Sequence, residues 1–267
     1  MDMKTKFKYE AVIAIFAILY TPVLAQGTVG DIETGIGGRA SVQLDYKIKK
    51  GVHINADAEL RTQDNFNAIG RYQATIGGNY KIISYLKAGL GYVYMSVKNS
   101  SGEWNPRHRI YADVTGTLKS GDWHFSLKEK LQLTHRSGVN VYQTTPNALS
   151  LKSRIKAEYK GFASVDPYIF LETRTALNDP ACTANWNGTA YSDYSFEGYK
   201  DTYFNRLRGA MGLEWELDKN NALDFTLMLD YCYDKEIDTN SSGTKLKSLT
   251  YERTIMPQIC IGYKYSF

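Results

Sequence analysis

Apolar and polar residues alternate along most of this chain. Over residues 38–48 every second position is apolar and the positions between are polar. Successive side chains of a strand point to opposite faces, so this alternation predicts a strand with one apolar face and one polar face. Ten further runs repeat the pattern, at about 52–61, 69–82, 85–97, 107–119, 122–136, 148–160, 165–177, 203–217, 222–235 and 250–267.

The lengths of these runs and of their connections predict the fold. Most runs have ten to sixteen residues. Strands of soluble domains usually have about five or six, and spanning strands need about 9–11. Short turns alternate with longer loops along the chain, as in outer-membrane barrels with short periplasmic turns and longer external loops. We therefore predict an all-β fold, a transmembrane antiparallel β-barrel of about ten to twelve strands in the bacterial outer membrane. A soluble periplasmic barrel is the alternative.

Both ends of the chain support export to that membrane. Lys4, Lys6 and Lys8 precede an apolar stretch at residues 11–24, which predicts a signal peptide over residues 1–25 and a barrel over residues 26–267. The final run is amphipathic and ends on Phe267. Such an ending is typical of a closing barrel strand, so we expect the barrel-assembly machinery to bind there.

The number of strands raises a question of parity. Bacterial single-chain barrels usually have an even number of strands, but eleven runs are visible. We expect residues 27–35 to add a short first strand, which gives twelve. The alternatives are ten strands, if the first run is not part of the wall, or an odd barrel with parallel first-to-last pairing.

The polar faces of the runs carry charges of both signs. If the apolar faces contact lipid, these charges line the lumen. The interior is then either a filled, rigid lattice of ion pairs or a selective conduit for a small polar solute. Basic residues near the external end predict an outer mouth that favours anions. The candidate lumen-lining residues are Asp57, Glu59, Arg61, Arg71, Arg107, Arg109, Asp113, Lys130, Arg154, Glu158, Glu172, Arg174, Arg206, Arg208, Glu214 and Asp230.

Other chemistry has little support in the sequence. The net charge is only +4 and basic residues alternate with acidic ones, so we expect no nucleic-acid partner. We find no metal-ligand spacing, phosphate loop or protease motif, and expect no cofactor, no metal and no enzyme. The enzymatic alternative is a lipid or lipopolysaccharide hydrolase that uses His108 and His135 near the external rim, with Ser126 or Ser137. Glu129 interrupts the same lipid-facing pattern, which predicts a local bulge or a subunit contact.

Cysteines and one long loop leave further alternatives. Cys232 and Cys260 fall on neighbouring predicted strands and are either bonded or two free thiols, and Cys182 is the odd one. The loop at residues 178–201 is rich in aromatic residues, so docking of a partner or a surface glycan is another candidate role. Its aromatic residues are Trp186, Tyr191, Tyr194, Phe196 and Tyr199.

Four short motifs resemble a known group of proteins. They are Ala58-Glu59-Leu60-Arg61, Arg107-His108-Arg109-Ile110-Tyr111, Lys128-Glu129-Lys130-Leu131 and Phe204-Asn205-Arg206-Leu207-Arg208. With them, the chain resembles an uncharacterised family of outer-membrane barrels of the domain-of-unknown-function 2490 type. The resemblance covers essentially all of residues 26–267 and implies a barrel in contact with lipid and lipopolysaccharide, without a known activity. The chain departs from the family pattern at residues 35–38, where a tryptophan is expected.

Overall fold

All regular elements in the described part of the chain are strands. The computed structural model describes residues 28–99 and 101–267, so the predicted signal peptide lies outside the described residues. Within these ranges no helix is long and apolar enough to cross a membrane. The strands are β1 (Thr28–Thr34), β2 (Gly37–Lys49), β3 (Val52–Gln63), β4 (Ala68–Ile83), β5 (Leu86–Lys98), β6 (Trp104–Ser120), β7 (Trp123–Arg136), β8 (Asn147–Tyr159), β9 (Val165–Asp179), β10 (Cys182–Trp186), β11 (Tyr191–Phe196), β12 (Asp201–Glu216), β13 (Asn221–Thr239) and β14 (Leu246–Ser266).

Eleven strands form the wall of a closed barrel, β2 to β9 followed by β12 to β14. Ten neighbouring pairs are antiparallel. The barrel closes through a parallel pairing of β2 with β14, from Gly37 opposite Gln258 to Asp45 opposite Ser266. The predicted all-β barrel is confirmed, and its strand number lies within the expected range of ten to twelve.

The expectation of twelve wall strands is wrong, because β1 does not reverse before β2. β1 also pairs in parallel with β14, with Thr34 opposite Ile255. It therefore lies in line with β2 on the same edge of β14, separated from it only by Gly35 and Ile36. The odd barrel with a parallel first-to-last pairing is the alternative that the structure adopts.

The connections at one end of the barrel are all short, as the sequence predicts. Turns of two to five residues join β2–β3, β4–β5, β6–β7, β8–β9 and β12–β13, and the end of the barrel that carries them is called the turn end here. Gly51 (φ 82°) and Gly121 (φ 59°) supply left-handed turn positions there. At the opposite loop end, three connections are longer, with six to 21 residues. The connections after β3 and β5 have four and five residues, so the predicted alternation of short turns with longer loops is wrong for these two. The longest connection is not an irregular loop, because it folds into the hairpin β10–β11.

The barrel exposes apolar side chains and buries charged ones. Leu90 is 70% exposed and Ile169 is 60% exposed on the outer surface, whereas Glu172 is 2% exposed in the interior. This distribution follows from the two-residue alternation of each strand, which directs one set of side chains outward and the other inward. The exterior is therefore apolar and the interior charged.

Glycines in the wall make room for inward-facing tyrosines. Gly77 on β4 lies opposite Gly91 on β5, and the Tyr111 ring covers both. A Cβ atom at Gly91 would lie 2.5 Å from Tyr111 Oη. The Lys130 ammonium lies 3.9 Å from the centroid of the same ring. Aromatic packing over glycine thus fills part of the middle of the barrel.

The hairpin β10–β11 packs on the projecting ends of β13 and β14. Its Cys182, Ala184, Tyr191 and Tyr194 contact a small buried cluster. The cluster consists of Ile237, Leu246 and Leu249. Two of the five aromatic residues of the loop thus serve internal packing, whereas Trp186 is 56% and Tyr199 is 36% exposed. Docking of a partner or a surface glycan at this loop stays a prediction.

The cysteines are free, so the cross-strand disulfide considered for Cys232 and Cys260 is wrong. On the paired strands β13 and β14, Cys232 lies opposite Thr254 and Cys260 opposite Thr226. The two thiols are thus six residues apart along the strands, about 20 Å at a rise of about 3.4 Å per residue. A disulfide requires Cα atoms about 4.4–6.8 Å apart.

Candidate functional site

The barrel interior contains two cavities of about 600 and 620 Å³. The first, called the outer vestibule, is lined by residues from all eleven wall strands toward the loop end, with Gln143, Thr144 and Thr145 of the loop after β7. The second, called the inner vestibule, lies toward the turn end and includes Asp45 and Lys264. Arg61, Arg109 and Lys152 line both cavities.

Basic residues outnumber acidic ones in the lining of the outer vestibule. Its eleven basic residues are Arg39, Arg61, Arg71, Arg107, Arg109, Arg136, Lys152, Arg174, Arg206, Arg208 and Lys235. Its five acidic residues are Asp179, Asp230, Asp234, Glu236 and Glu252. The lining therefore carries an excess of positive charge.

Several of these arginines are direct cross-strand neighbours. Arg107 on β6 lies opposite Arg136 on β7, and Arg61 on β3 lies opposite Arg71 on β4. On the other side of Arg61, the neighbour on β2 is Arg39. Like charges directly opposite each other destabilise a sheet. Barrel stability alone therefore does not explain this repeated pairing.

Four of the arginines have no carboxylate partner in the described part of the chain. They are called the arginine cluster here and consist of Arg71, Arg107, Arg109 and Arg136. The arginine salt bridges of the outer vestibule involve its other members. Arg109 Nε donates to Thr134 Oγ1 at 2.8 Å, and Arg136 Nε is buried without a partner in the described residues. The arginine cluster thus has unused hydrogen-bond donors facing a cavity.

A dense charge network, called the waist, contributes residues to the linings of both vestibules. At its centre Glu172 accepts from Lys152 Nζ at 2.9 Å and from Arg154 Nε at 2.9 Å. Guanidinium nitrogens of Arg206 and Arg208 lie 3.3 and 3.4 Å from Glu172 Oε1. One carboxylate is therefore shared by four cations from strands β8 and β12.

The waist continues around the wall through Asp230. Arg208 forms a two-point contact with this carboxylate, with Nη2 at 2.7 Å from Oδ2. Gln258 Nε2 donates to Asp230 Oδ2 at 3.0 Å, and Arg39 Nη2 lies 3.6 Å from the same oxygen. The network therefore reaches across the parallel seam between β14 and β2 and ties the first wall strand to the last.

The inner vestibule is basic too. Its lining has eight basic and four acidic residues. Asp113 is shared by Lys128 Nζ at 3.3 Å and Lys130 Nζ at 3.7 Å. Near the turn end, Lys264 pairs with Glu214 and lies 3.5 Å from Asp224. Lys264 thus holds both of these acidic residues near the turn end, and the positive excess extends through the lumen.

Most residues predicted to line the lumen do so. Of the sixteen, only Glu158, Glu172 and Glu214 are outside the lining of the two vestibules, and Glu172 instead forms the waist. Arg39 and Arg136 were missed, although the same two-residue alternation would have included them. Lys235 was also missed, because it belongs to the apolar face of its run and reaches the vestibule only where β13 projects past the wall.

The histidines at the rim lack the partners of a hydrolase. His108 and His135 are cross-strand neighbours. Their Nδ1 atoms bond to Tyr92 Oη at 2.6 Å and to Asn147 Oδ1 at 2.9 Å. No serine hydroxyl bonds to either ring in the described residues, whereas a nucleophilic serine must contact its histidine. The geometry therefore gives the hydrolase alternative no specific support.

Glu129 faces outward without distorting its strand. Its Oε2 accepts from Ser153 Oγ at 2.6 Å. The pairing of β7 with β6 and β8 runs without a register shift, so the local bulge predicted at this position is wrong. The hydrogen bond from Ser153 partly satisfies the Glu129 carboxylate, whereas the apolar exterior offers that carboxylate no hydrogen bond. A subunit contact at Glu129 stays a prediction.

Neither metal nor thiol chemistry stands out in the described residues. No group of three or more His, Cys, Asp and Glu side chains in these ranges is arranged to hold a metal ion. In the hairpin, burial raises the pKa of the Cys182 thiol, which reduces the fraction of reactive thiolate at neutral pH.

Comparisons with known proteins show the family of this chain. No curated protein matches the chain. A solved structure, described as the NanC porin in a rhombohedral crystal form, is 13% identical with a TM-score of 0.44, and the match covers 86% of this chain and 97% of that one. The family model described as protein of unknown function (DUF2490) matches residues 40–241. Because that match spans most of the barrel wall, this chain belongs to the DUF2490 family.

Proposed function

We propose that this protein is a non-enzymatic outer-membrane channel that binds and passes small anionic solutes. The observation that carries the proposal is the arginine cluster, in which Arg107 and Arg136 are direct neighbours without a carboxylate partner in the described residues. An anion in the outer vestibule would relieve the repulsion between them. Guanidinium groups suit carboxylate and phosphate because their N–H donors pair with two oxygens at once.

The exterior supports the membrane part of the proposal. An apolar belt surrounds the barrel, and exposed aromatic side chains gather near both ends. At the turn end, Trp123 packs on Tyr159, which contacts Phe162. At the loop end, Tyr72 packs on Trp104. Aromatic girdles at two interfaces around an apolar band are typical of outer-membrane barrels. We propose lipid and lipopolysaccharide as the surroundings, with the turn end in the periplasm.

The size and charge of the outer vestibule restrict the solute. A cavity of about 600 Å³ falls in the range of about 300–1,000 Å³ that small-molecule sites occupy. The lining offers arginine, threonine and glutamine donors and few apolar groups. A small polar solute with at least one carboxylate or phosphate group therefore fits better than an apolar one. We also propose that the barrel-assembly machinery recognises the C-terminal strand β14.

Recordings in planar bilayers under a KCl gradient test the proposal. We expect the reversal potential to show preference for chloride over potassium. The double variant R107Q/R136Q should reduce that preference, whereas K50Q/K219Q should leave it unchanged. Lys50 and Lys219 are exposed in turns, so the control removes the same charge outside the lumen. A channel with cation preference, or equal preferences in the two variants, would contradict an anion pathway through the arginine cluster.

A further inference from the structure

We propose that the waist is a second anion-binding site, which Glu172 occupies as a built-in competitor of the solute. This inference rests on the anion pathway proposed above and names the group that regulates it. Four cations converge on the Glu172 carboxylate, whose side chain is 3% exposed. Several cations around one anionic group are also the environment expected for a carboxylate or phosphate group of a bound solute.

The waist lies at one of the places where the two vestibules meet, because Lys152 lines both cavities and donates to Glu172 at 2.9 Å. Arg61, Arg109 and Gln132 also line both cavities. An anion that moves along Lys152 from the arginine cluster toward the turn end meets the cations that hold Glu172. The next cations along this route are Lys130 and Lys128 of the inner vestibule.

A small void beside Glu172 has room for an arriving anion. This cavity, of about 60 Å³, is lined by Lys128, Lys130, Lys152, Arg154 and Glu172. It has room for several waters, each of which needs about 10–15 Å³, or for one small oxyanion. Four of its five lining residues are cationic, and Glu172 is the acidic member. Without that carboxylate the void would be a strong anion trap.

The competition has a physical purpose in a channel. Passage requires a solute to bind well enough to enter and weakly enough to leave. Four cations without an internal carboxylate would hold a phosphate too tightly for release. Glu172 supplies an exchangeable partner, so that the cations are never without one while the solute moves. The side chain therefore sets the affinity of the waist for anions.

Binding of inorganic phosphate to the detergent-solubilised full chain, measured by titration calorimetry, tests this inference. For E172Q we expect phosphate affinity to rise about tenfold, which corresponds to about 1.4 kcal/mol. The matched control is E216Q, because Glu216 is exposed at the turn end of β12. The phosphate affinity of E216Q should remain within about twofold of the wild-type affinity, because solvent and salt screen exposed charges.

The outcomes separate this inference from the channel proposal. A folded E172Q variant with wild-type phosphate affinity would overturn the competitor role even if the wild type is anion-selective. Tighter phosphate binding by E172Q without any anion-selective current would support the waist site and reject the channel. Heat-modifiable mobility in gels reports folding. If E172Q does not fold, E172Q/R206Q is compared with R206Q, and equal affinities in that pair would overturn the inference.

Discussion

Arg107 on β6 lies directly opposite Arg136 on β7, and neither guanidinium has a carboxylate partner in the described residues. Both face the outer vestibule, where Arg71 and Arg109 add two further positive charges. A pair of like charges in a cross-strand position is a local cost to the sheet. The repulsion lies at the place where a bound anion would remove it. Strained arrangements in proteins cluster at binding sites.

The first prediction concerns the stability cost of that pair. Replacing Arg136 with Gln should stabilise the barrel at low salt by about 0.2–1 kcal/mol, because the repulsion from Arg107 disappears. Urea unfolding in detergent, followed by tryptophan fluorescence, measures the change. The gain should shrink in 1 M KCl, where the screening length falls to about 3 Å. A gain that does not depend on salt would mean that repulsion is not its cause.

The second prediction concerns the packing of Tyr111 against the wall. A Cβ atom at Gly91 would lie 2.5 Å from Tyr111 Oη and 2.6 Å from its Cζ. We expect G91A to destabilise the barrel by about 1–3 kcal/mol through overpacking, measured by the same urea unfolding. The matched control is G116A, because a Cβ there meets nothing within 4 Å. The double variant G91A/Y111A should lose only the part of the cost that the ring causes, because the same Cβ atom would still lie 2.8 Å from the backbone oxygen of Ile76.

The third prediction concerns the anchoring of the hairpin β10–β11 at the loop end. Lys235 Nζ bonds to Pro180 O at 2.6 Å, pairs with Asp201 and lies 3.6 Å from Asp179. We expect K235M to destabilise the docking of the hairpin by at most about 3 kcal/mol. The change removes a largely buried ammonium group, but the carboxylates that lose it are partly exposed to solvent. Limited trypsin digestion should cleave after Lys200 faster, while heat-modifiable mobility of the barrel is retained.

The control for the hairpin is K247M. Lys247 lies 3.4 Å from Asp238, and both side chains are about half exposed. Exposed ion pairs contribute about 0–1 kcal/mol, so trypsin cleavage should not change. Equal protection of the hairpin in K235M and the wild type would show that the apolar cluster around Ile237 holds it without the lysine.

The fourth prediction concerns the thiols. The structure has three free cysteines, so titration of the denatured chain with a thiol reagent should find three thiols without prior reduction. Adding a reductant first should not raise the number. A single thiol before reduction and three after it would indicate a disulfide, and would require a register of β13 and β14 different from the one described.

The sequence predicts the strands of the barrel wall, but it does not predict how the first and last strands close the barrel. The alternation that directs Leu90 outward is local, so each strand and its lumen-facing charges could be found one by one. Which edge β1 joins depends on pairing with β14, more than 200 residues away, and no local pattern encodes it. The same limit explains the cysteines: Asn221 pairs with Tyr265, so Cys232 lies far higher on the wall than Cys260.

The sequence predicts which residues belong to the waist, but it does not predict that they meet, for a similar reason. Arg154, Glu172 and Arg208 were each expected to line the lumen, because each lies on the polar face of its run. Their convergence on one carboxylate depends on the register of β8, β9 and β12, where Glu172 lies opposite both Arg154 and Arg208. A two-residue periodicity assigns a face to each side chain, but it does not assign a height, and the site depends on height.

The parallel seam between β2 and β14 has a topological consequence. An odd number of wall strands separates the two termini of the folded domain, so Thr28 lies toward the loop end and Phe267 at the turn end. In the proposed orientation, a short epitope placed before Thr28 would be displayed to antibodies on intact cells. The same epitope placed after Phe267 would be hidden until the outer membrane is permeabilised. In the same proposed orientation, export of the barrel would include delivery of the Thr28 end of β1 across the bilayer, which a barrel with an even number of strands does not require.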